Sequence, residues 1–112
     1  MTMHSADFDP NAAGDLSAGV FGIPGTLESS RLVIVPVPFD ATTSYGRGTA
    51  RGPAAIREAS VQIDLFDIET GRPYQAGIFM LPEQDDFVAW NAEATPLAER
   101  IIERGGRIEG DA

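Results

Sequence analysis

The 112-residue chain contains no cysteine and no lysine, and its one histidine is His4. Without cysteine, the chain has no disulfide, no thiolate nucleophile and no cysteine-ligated zinc. Without lysine, it cannot form a Schiff base or place an ammonium group on a bound phosphate. A serine nucleophile needs a positioned base, and His4 lies in a stretch with no sustained periodicity. We therefore predict no covalent catalysis and assign His4 no catalytic or metal-binding role.

Positive charge and long apolar runs are also scarce. The net charge is −9 and the isoelectric point is about 4.3. Nucleic acids and anionic membranes need a basic surface, so neither is an expected partner. An acidic site for a cationic substrate would suit this charge, although solubility alone also explains it. The chain has no apolar run of membrane-spanning length and no secretory signal pattern. The sequence therefore predicts a cytoplasmic protein.

The chain is long enough for one domain at most, with an apolar content of 43% that allows a packed core. Residues 1–30 are rich in aspartate, glycine, alanine and serine. They predict a flexible N-terminal lead-in, with one short ordered piece around Leu16–Ile23. Residues 31–112 carry strand and helix patterns and form the predicted domain.

The most informative stretch begins with a continuous apolar run, Leu32–Val37. Such a run is typical of a parallel strand that is covered on both faces. Pro36 and Pro38 each remove a ladder donor, so the strand is expected near an edge or already leaving the sheet. The glycine-rich loop Asp40–Gly52 follows, and Pro53 begins a helix. Open α/β folds bind ligands at such a loop, which is therefore a candidate site wall.

The rest of the chain repeats this order. The first helix is predicted from Pro53 to about Val61, and residues 63–68 fit either a short strand or an extended crossover. A second strand is predicted at Ala76–Leu81. A second helix starts at Thr95 or near Asn91 and ends at residues 105–106, before another strand at residues 107–108. Alternating strands and helices predict an α/β fold with a parallel sheet.

Two short stretches precede the second helix. The acidic run Glu83, Asp85 and Asp86 lacks the spacing of a calcium loop and is expected to be a solvated loop. A buried patch is predicted at Phe87, Val88 and Trp90.

Two site chemistries stay open from the residues alone. Asp40, Asp64 and Asp67 could converge as paired carboxylates, although their spacing does not require it. Residues 46–53, GRGTARGP, offer backbone N–H groups, two arginines and a helix N-terminus to an anion. Against this, the phosphate-loop lysine is missing and Pro53 removes one donor. A standalone small α/β module that binds an anion at residues 46–53 therefore remains an alternative.

Residues 33–60, VIVPVPFDATTSYGRGTARGPAAIREAS, resemble the N-terminal signature of the ureohydrolase family, which comprises agmatinases, arginases and formiminoglutamases. The resemblance continues to about Gly106. The matching positions are Pro38-Phe39-Asp40, Gly48, Gly52-Pro53, Ile56-Arg57, Ser60, Phe66-Asp67 and Gly77-Ile78.

The resemblance implies a three-layer α/β/α, arginase-like fold with a parallel sheet, of which this chain holds the first two βα units. It also implies a homo-oligomer and a small guanidino substrate from polyamine or arginine metabolism. Two manganese ions in the family activate a hydroxide, which attacks the guanidino carbon and releases urea and an amine. The family's ligands lie on a Gly-Gly-x-His segment after the third strand and on later Asp-x-His-x-Asp and Asp-x-Asp motifs, and this sequence contains none of them at those places.

The tail Glu109–Ala112 resembles the first ligand segment, but Ala112 stands where histidine is needed. We therefore assign no catalytic and no metal-binding residue, and we expect this chain to bind no manganese. By analogy with the family, a substrate-pocket wall is predicted from four residues: Asp40, Thr43, Ser44 and Gly48. An equally good reading is that this loop only shapes the first βα unit.

The sequence thus predicts the N-terminal portion of an agmatinase- or arginase-like ureohydrolase, inactive alone and marginally stable as a monomer. The anion-binding module is one alternative, and a non-catalytic subunit that docks on a complete ureohydrolase is another. The choice among guanidino substrates stays open.

Overall fold

A computed structural model describes residues 8–106 of the chain. Within these residues it has two strands and two α-helices: β1 Leu32–Ile34, α1 Gly52–Ala59, β2 Ile78–Met80 and α2 Asp85–Glu103. The strands pair in parallel, with Leu32 opposite Ile78. This order and pairing confirm the predicted α/β class and its two βα units. His4 and the predictions for residues 107–112 lie outside the described residues.

The described chain divides into two compact units, one of residues 8–36 and 54–82 and the other of residues 37–53 and 83–106. This division does not test the predicted boundary between a lead-in, residues 1–30, and a domain, residues 31–112, which stays a prediction.

The first unit contains the two-stranded sheet and a small core. Its buried apolar side chains are those of Val20, Ile23 and Met80. Two short 3₁₀ turns, Leu16–Ala18 and Val20–Gly22, lie where the sequence predicts a short ordered piece. The second turn contacts β2 and the 3₁₀ turn that follows α1. The N-terminal residues therefore pack on the sheet and on the end of α1.

Both strands are shorter than predicted. β1 ends at Ile34 instead of Val37, because Pro36 lacks the N–H group that a ladder needs. The prediction that this run is covered on both faces is wrong for the described residues, since Leu32, Val33 and Val35 are 54%, 36% and 56% exposed. Two strands alone do not supply the layers that would cover them.

Residues 63–77 contain no strand, so of the two readings of residues 63–68 the extended crossover applies. The chain then turns at Asp67–Gly71, where the two end residues form an isolated antiparallel bridge. The Thr70 hydroxyl donates to the Asp67 carboxylate and closes this turn. A 3₁₀ turn at Pro73–Ala76 leads into β2.

In the second unit, α2 begins much earlier than predicted. Asp85 and Asp86 lie in its first turn, where carboxylates stabilise the positive end of the helix dipole. The prediction of a solvated loop is therefore wrong for Asp85 and Asp86, whereas Glu83 is exposed and lies before the helix. Pro96 lies inside the helix, and the Thr95 hydroxyl donates to the carbonyl of Asn91 at 2.6 Å. The sequence prediction placed Pro96 in the first turn of the helix, but residues 85–95 before it are already helical.

The end of α2 and its apolar residues complete the second unit. Gly105 and Gly106 have φ angles of 72° and 81° and donate to carbonyls of the last turn, which confirms the predicted helix end. The predicted burial of Val88 and Trp90 is wrong for the described residues, because they are 47% and 53% exposed. In the described part of the chain, no helix combines the length and the apolar character that crossing a membrane would require.

Candidate functional site

The loop Asp40–Gly52, called the Asp40 loop below, is built around one carboxylate. Asp40 is 8% exposed. Its Oδ2 atom accepts hydrogen bonds from the backbone N–H groups of Gly48 (3.0 Å) and Ala50 (3.2 Å). Its carbonyl accepts from the backbone N–H of Thr43 at 3.1 Å and from the Thr43 hydroxyl at 2.8 Å. One residue thus holds both ends of the loop together.

Helix α2 contacts the same residue through Asn91. The Asn91 Oδ1 atom accepts from the backbone N–H of Asp40 at 2.8 Å, and its Nδ2 atom donates to Asp40 Oδ1 at 3.2 Å. A side-chain amide has both a donor and an acceptor, so it can satisfy the backbone and the carboxylate together. This two-point contact fixes the start of the loop on the helix.

Arg47 makes a second link from the loop to α2. Its Nε atom donates to Glu99 Oε1 at 2.9 Å, and its Nη1 atom donates to the Asp40 carbonyl at 3.2 Å. The same Nη1 atom is 3.8 Å from Asp40 Oδ1. The Arg47 and Glu99 side chains are 33% and 49% exposed, and ion pairs in such settings contribute little stability.

These contacts decide what the Asp40 carboxylate can do chemically. The backbone N–H groups of Ala50 and Gly48 lower the pKa of Asp40, and the Asn91 amide and the Arg47 charge lower it further against the opposing effect of burial. A carboxylate held in this way stays ionised at neutral pH and is a weak base. Its Oδ2 atom is bound by the loop backbone and its Oδ1 atom by the Asn91 amide, so both oxygens help to hold the loop on α2.

The same contacts bear on the anion site predicted at residues 46–53. The Gly48 and Ala50 N–H groups that would cradle an anion already bind the Asp40 carboxylate. Gly48 has a φ angle of 134°, and a Cβ built there would lie 2.8 Å from Arg51 Nη2. The position that an anion would take at these two N–H groups is thus occupied by a side chain of the loop itself.

The four predicted wall residues are only partly brought together. Asp40 contacts Gly48 and Thr43 directly, whereas Ser44 is exposed. Tyr45 follows Ser44 and is 96% exposed. That these residues line a substrate pocket is not tested by these contacts and stays a prediction.

Sequence reasoning missed Asn91 as part of this site. Its only signal is a polar side chain among the apolar positions of α2, and nothing near it in the sequence indicates a contact with a residue 51 positions earlier.

The described residues do not fit the two manganese ions that the resemblance implies. Between residues 8 and 106, no three histidine, cysteine, aspartate or glutamate side chains are grouped to hold a metal ion. Asp40 is engaged as described above. The Thr70 hydroxyl is the main cause of the lowered pKa of Asp67, whose carboxylate is thereby used within its own turn.

A cavity of about 250 Å³ in the first unit is a further candidate. It lies between the N-terminal residues and the segment after α1, and its lining includes Phe8, Phe21, Val61 and Leu65. Two carboxylates line it: Asp9 accepts from the backbone N–H of Asn11, and Asp15 accepts from the backbone N–H and the hydroxyl of Ser17. The lining is otherwise mainly apolar, and each carboxylate has a hydrogen-bond partner within its own segment of the chain.

Comparison with known proteins gives the context for the Asp40 loop. The family model described as "Arginase family" matches residues 30–101, which include β1, the Asp40 loop, α1, β2 and most of α2. No solved structure matches the chain.

Curated relatives match the same region. An N(1)-aminopropylagmatine ureohydrolase of Thermus thermophilus is 43% identical over 85 residues, which are 74% of this chain and 28% of that protein. The protein of the same name from Synechocystis is 50% identical over 40 residues, 36% of this chain and 13% of that protein. The agmatinase of Bacillus cereus is 35% identical over 63 residues, 51% of this chain and 22% of that protein. The chain thus spans less than a third of the length of these relatives.

Proposed function

The chain belongs to the arginase family, and on that premise we propose that it forms part of a ureohydrolase that acts on a linear guanidino compound. The observation that carries this proposal is the match over residues 30–101, which contains the whole Asp40 loop with its anchoring residue Asn91. Two of the relatives described above are named N(1)-aminopropylagmatine ureohydrolases and a third is named an agmatinase, which supports a substrate of the agmatine type.

The proposed reaction is a hydrolysis of the guanidino group. The oxygen of water forms a bond to the guanidino carbon, and the bond from that carbon to the substituted nitrogen breaks. The substrate enters as the guanidinium ion, urea leaves, and the amine nitrogen takes up both protons of the water and leaves as an ammonium group. We propose N1-aminopropylagmatine as the first substrate to test and agmatine as the second.

The contribution of this chain is the Asp40 loop. Asp40 and Asn91 hold the loop on α2, so that Thr43, Ser44 and Gly48 would stand at the rim of the substrate pocket. The family implies manganese, but residues 8–106 do not offer a ligand group, and we assign the metal no step on this chain. We further propose that the complete enzyme is a cytoplasmic homo-oligomer and that this chain is inactive by itself.

The first test uses the purified chain alone. It is loaded with manganese, passed through gel filtration, and assayed for bound metal and for urea released from each substrate. We expect neither retained manganese nor urea. Two manganese ions retained per chain would contradict the assignment of the metal ligands to another part of the enzyme.

The second test adds the missing part of the fold. The chain is co-expressed with the T. thermophilus relative from which the matched 85 residues are deleted. We expect urea release that needs both polypeptides and manganese, with the deleted relative alone as the control. A manganese-loaded complex that releases no urea from any guanidino substrate would overturn the proposed function.

A further inference from the structure

A second cavity in the first unit adjoins its small core. It has a volume of about 270 Å³ and lies between the two N-terminal 3₁₀ turns, helix α1 and strand β2. The three buried apolar side chains of this unit, Val20, Ile23 and Met80, all line it. Pockets for drug-sized ligands begin at roughly 300 Å³, so this cavity suits a smaller molecule with an apolar body.

The charged residue that lines this cavity is Arg57, and the cavity is called the Arg57 cavity below. Arg57 lies in α1 and is half-buried. Among residues 8–106, both ion pairs belong to Arg47, so the Arg57 guanidinium has no carboxylate within ion-pair distance. A guanidinium offers paired N–H donors that match the two oxygens of a carboxylate. Arg57 therefore places an unpaired cation beside apolar side chains.

The rest of the lining narrows the class of ligand. Ser17 is its other polar side chain, and the Ser17 hydroxyl already donates to the Asp15 carboxylate at 2.7 Å. A ligand must therefore draw its charged contact from Arg57. A phosphate is strongly hydrated and is normally bound by several donors together, so a single guanidinium favours a singly charged carboxylate. The apolar side chains favour a hydrocarbon tail on that carboxylate.

We propose that the Arg57 cavity binds a small aliphatic monocarboxylic acid. The carboxylate of the ligand accepts two hydrogen bonds from the Arg57 guanidinium, and its hydrocarbon tail packs against Val20, Ile23 and Met80. Binding removes apolar surface from water and gives the cation a partner, so both contacts stabilise the complex. All residues that line the cavity belong to the first unit, and the inference does not rest on the proposed function.

The first measurement is an NMR titration of the intact chain, labelled with ¹⁵N, with hexanoate at pH 7. We expect the amide shifts of Arg57, Val20 and Met80 to saturate with one dissociation constant, while those of the Asp67–Gly71 turn move less. Acetate carries the same charge with a shorter tail, and each buried CH₂ group raises affinity about fourfold, so acetate should bind at least about tenfold more weakly. Hexanamide keeps the tail without the charge and should also bind at least about tenfold more weakly.

Matched variants locate the site. Arg57→Met removes the charge but keeps a long side chain, and should weaken hexanoate binding at least about tenfold. Arg57→Lys keeps the charge without the paired donors, so its affinity should lie between those of Arg57→Met and the original chain. Arg31→Met removes a positive charge at an exposed position that does not line the cavity, and should bind hexanoate as the original chain does.

Several outcomes would overturn the proposal. The absence of saturable shifts with hexanoate would do so, as would equal affinities for hexanoate, acetate and hexanamide. Equal losses of affinity in Arg57→Met and Arg31→Met would show that hexanoate responds only to the overall charge. Inorganic phosphate that displaces hexanoate at equal concentration would assign the cavity to a different anion. If Arg57→Met does not fold, the three ligands on the original chain decide the matter without a variant.

Discussion

Asn91 contacts both the backbone and the side chain of Asp40, a residue 51 positions earlier in the chain. The contact joins the middle of α2 to the first residue of the Asp40 loop. Since the Asp40 carboxylate in turn binds the amides of Gly48 and Ala50, the loop and the helix form one hydrogen-bonded network. The following predictions test how much the fold depends on it and on a similar contact in the first unit.

Replacement of Asn91 by alanine should destabilise the chain. The substitution leaves the backbone N–H of Asp40 and one carboxylate oxygen without their amide partner, and an unpaired group in a partly buried position costs about 1–3 kcal/mol. The measurement is the free energy of unfolding in urea at pH 7. Asn91→Asp should cost more at this pH, because it places a second carboxylate beside that of Asp40.

The chain offers a matched control for Asn91. Asn11 is exposed, and the hydrogen bond recorded for it uses its backbone N–H rather than its side chain. Asn11→Ala should change the free energy of unfolding by no more than about 0.5 kcal/mol. Equal losses at the two positions would show that the Asn91 amide has no special role.

The stability of the chain should fall at acidic pH, partly through Asp40. The pKa of Asp40 is lowered below its ordinary value of 3.8, chiefly by the amides of Ala50 and Gly48. The unfolded chain then binds more protons than the folded one, so this contribution is present above pH 3.8 and is lost as the pH falls through the folded pKa. Asp15 and Asp67 have pKa values lowered in the same direction. Urea unfolding measured between pH 7 and pH 2 should show this loss.

A variant separates the share of Asp40 in this pH dependence. Asp40→Asn keeps the size of the side chain but cannot lose or gain the proton, so it should be less stable at pH 7 and should lose less stability on acidification. Asp64→Asn removes the same charge at an exposed position and serves as the control. An Asp40→Asn variant with the full acid dependence of the original chain would assign that dependence to other groups.

Local sequence signals predicted the first half of the chain better than the second. Gly52-Pro53 correctly predicts the start of α1. Proline fits the first turn of a helix, because the N–H group that it lacks would have no partner within the helix there. At Pro96 the same signal gave a wrong prediction of a helix start, because α2 continues through this proline. A single proline therefore indicates a boundary only when its neighbours also leave the helical pattern.

The parts that sequence did not predict depend on distant residues. An apolar run at Leu32–Val37 indicates a strand that needs covering, but it does not say which residues cover it. The prediction of Asp40 as a wall residue did not include the contacts of its carboxylate with two N–H groups of its own loop. Gly48 has a φ angle of 134° where it makes that contact. Glycine permits this angle, but the presence of a glycine in the sequence does not predict which angle it adopts.

Two glycines of the Asp40 loop should resist replacement by alanine for different reasons. At Gly48, a φ angle of 134° disfavours any side chain, and Gly48→Ala should cost about 1–3 kcal/mol of unfolding free energy. Gly52 has helical backbone with a φ angle of −55°, but it lies directly before Pro53, whose Cδ would crowd an added Cβ. Gly52→Ala should therefore also lower the free energy of unfolding, although its φ angle is an ordinary one. A stabilising Gly48→Ala would show that the loop backbone is not held as described.

Ser60 makes the corresponding contact in the first unit. It is 5% exposed, and its hydroxyl accepts from the backbone N–H of Phe21 at 2.8 Å while it donates to the carbonyl of Arg57 at 2.6 Å. Phe21 has a φ angle of 59°, which is uncommon for a residue other than glycine and costs free energy. The Ser60 hydroxyl thus supplies the hydrogen-bond acceptor for the backbone N–H of a residue with unfavourable backbone geometry.

Ser60→Ala should lower the free energy of unfolding by about 1–3 kcal/mol, because the N–H of Phe21 loses its partner in a partly buried position. Phe21→Gly tests whether the positive φ angle of Phe21 is strained, because glycine adopts such an angle without strain. The same change also removes the phenyl ring. If the turn opens in Ser60→Ala, the amides of Gly22 and Ile23, which donate to the carbonyls of Gly19 and Val20, should exchange faster. Ser44→Ala, at an exposed position, should leave both measurements unchanged. A stable Ser60→Ala variant with unchanged exchange would mean that the turn is held by its apolar side chains, Val20 and Ile23, and not by the hydroxyl.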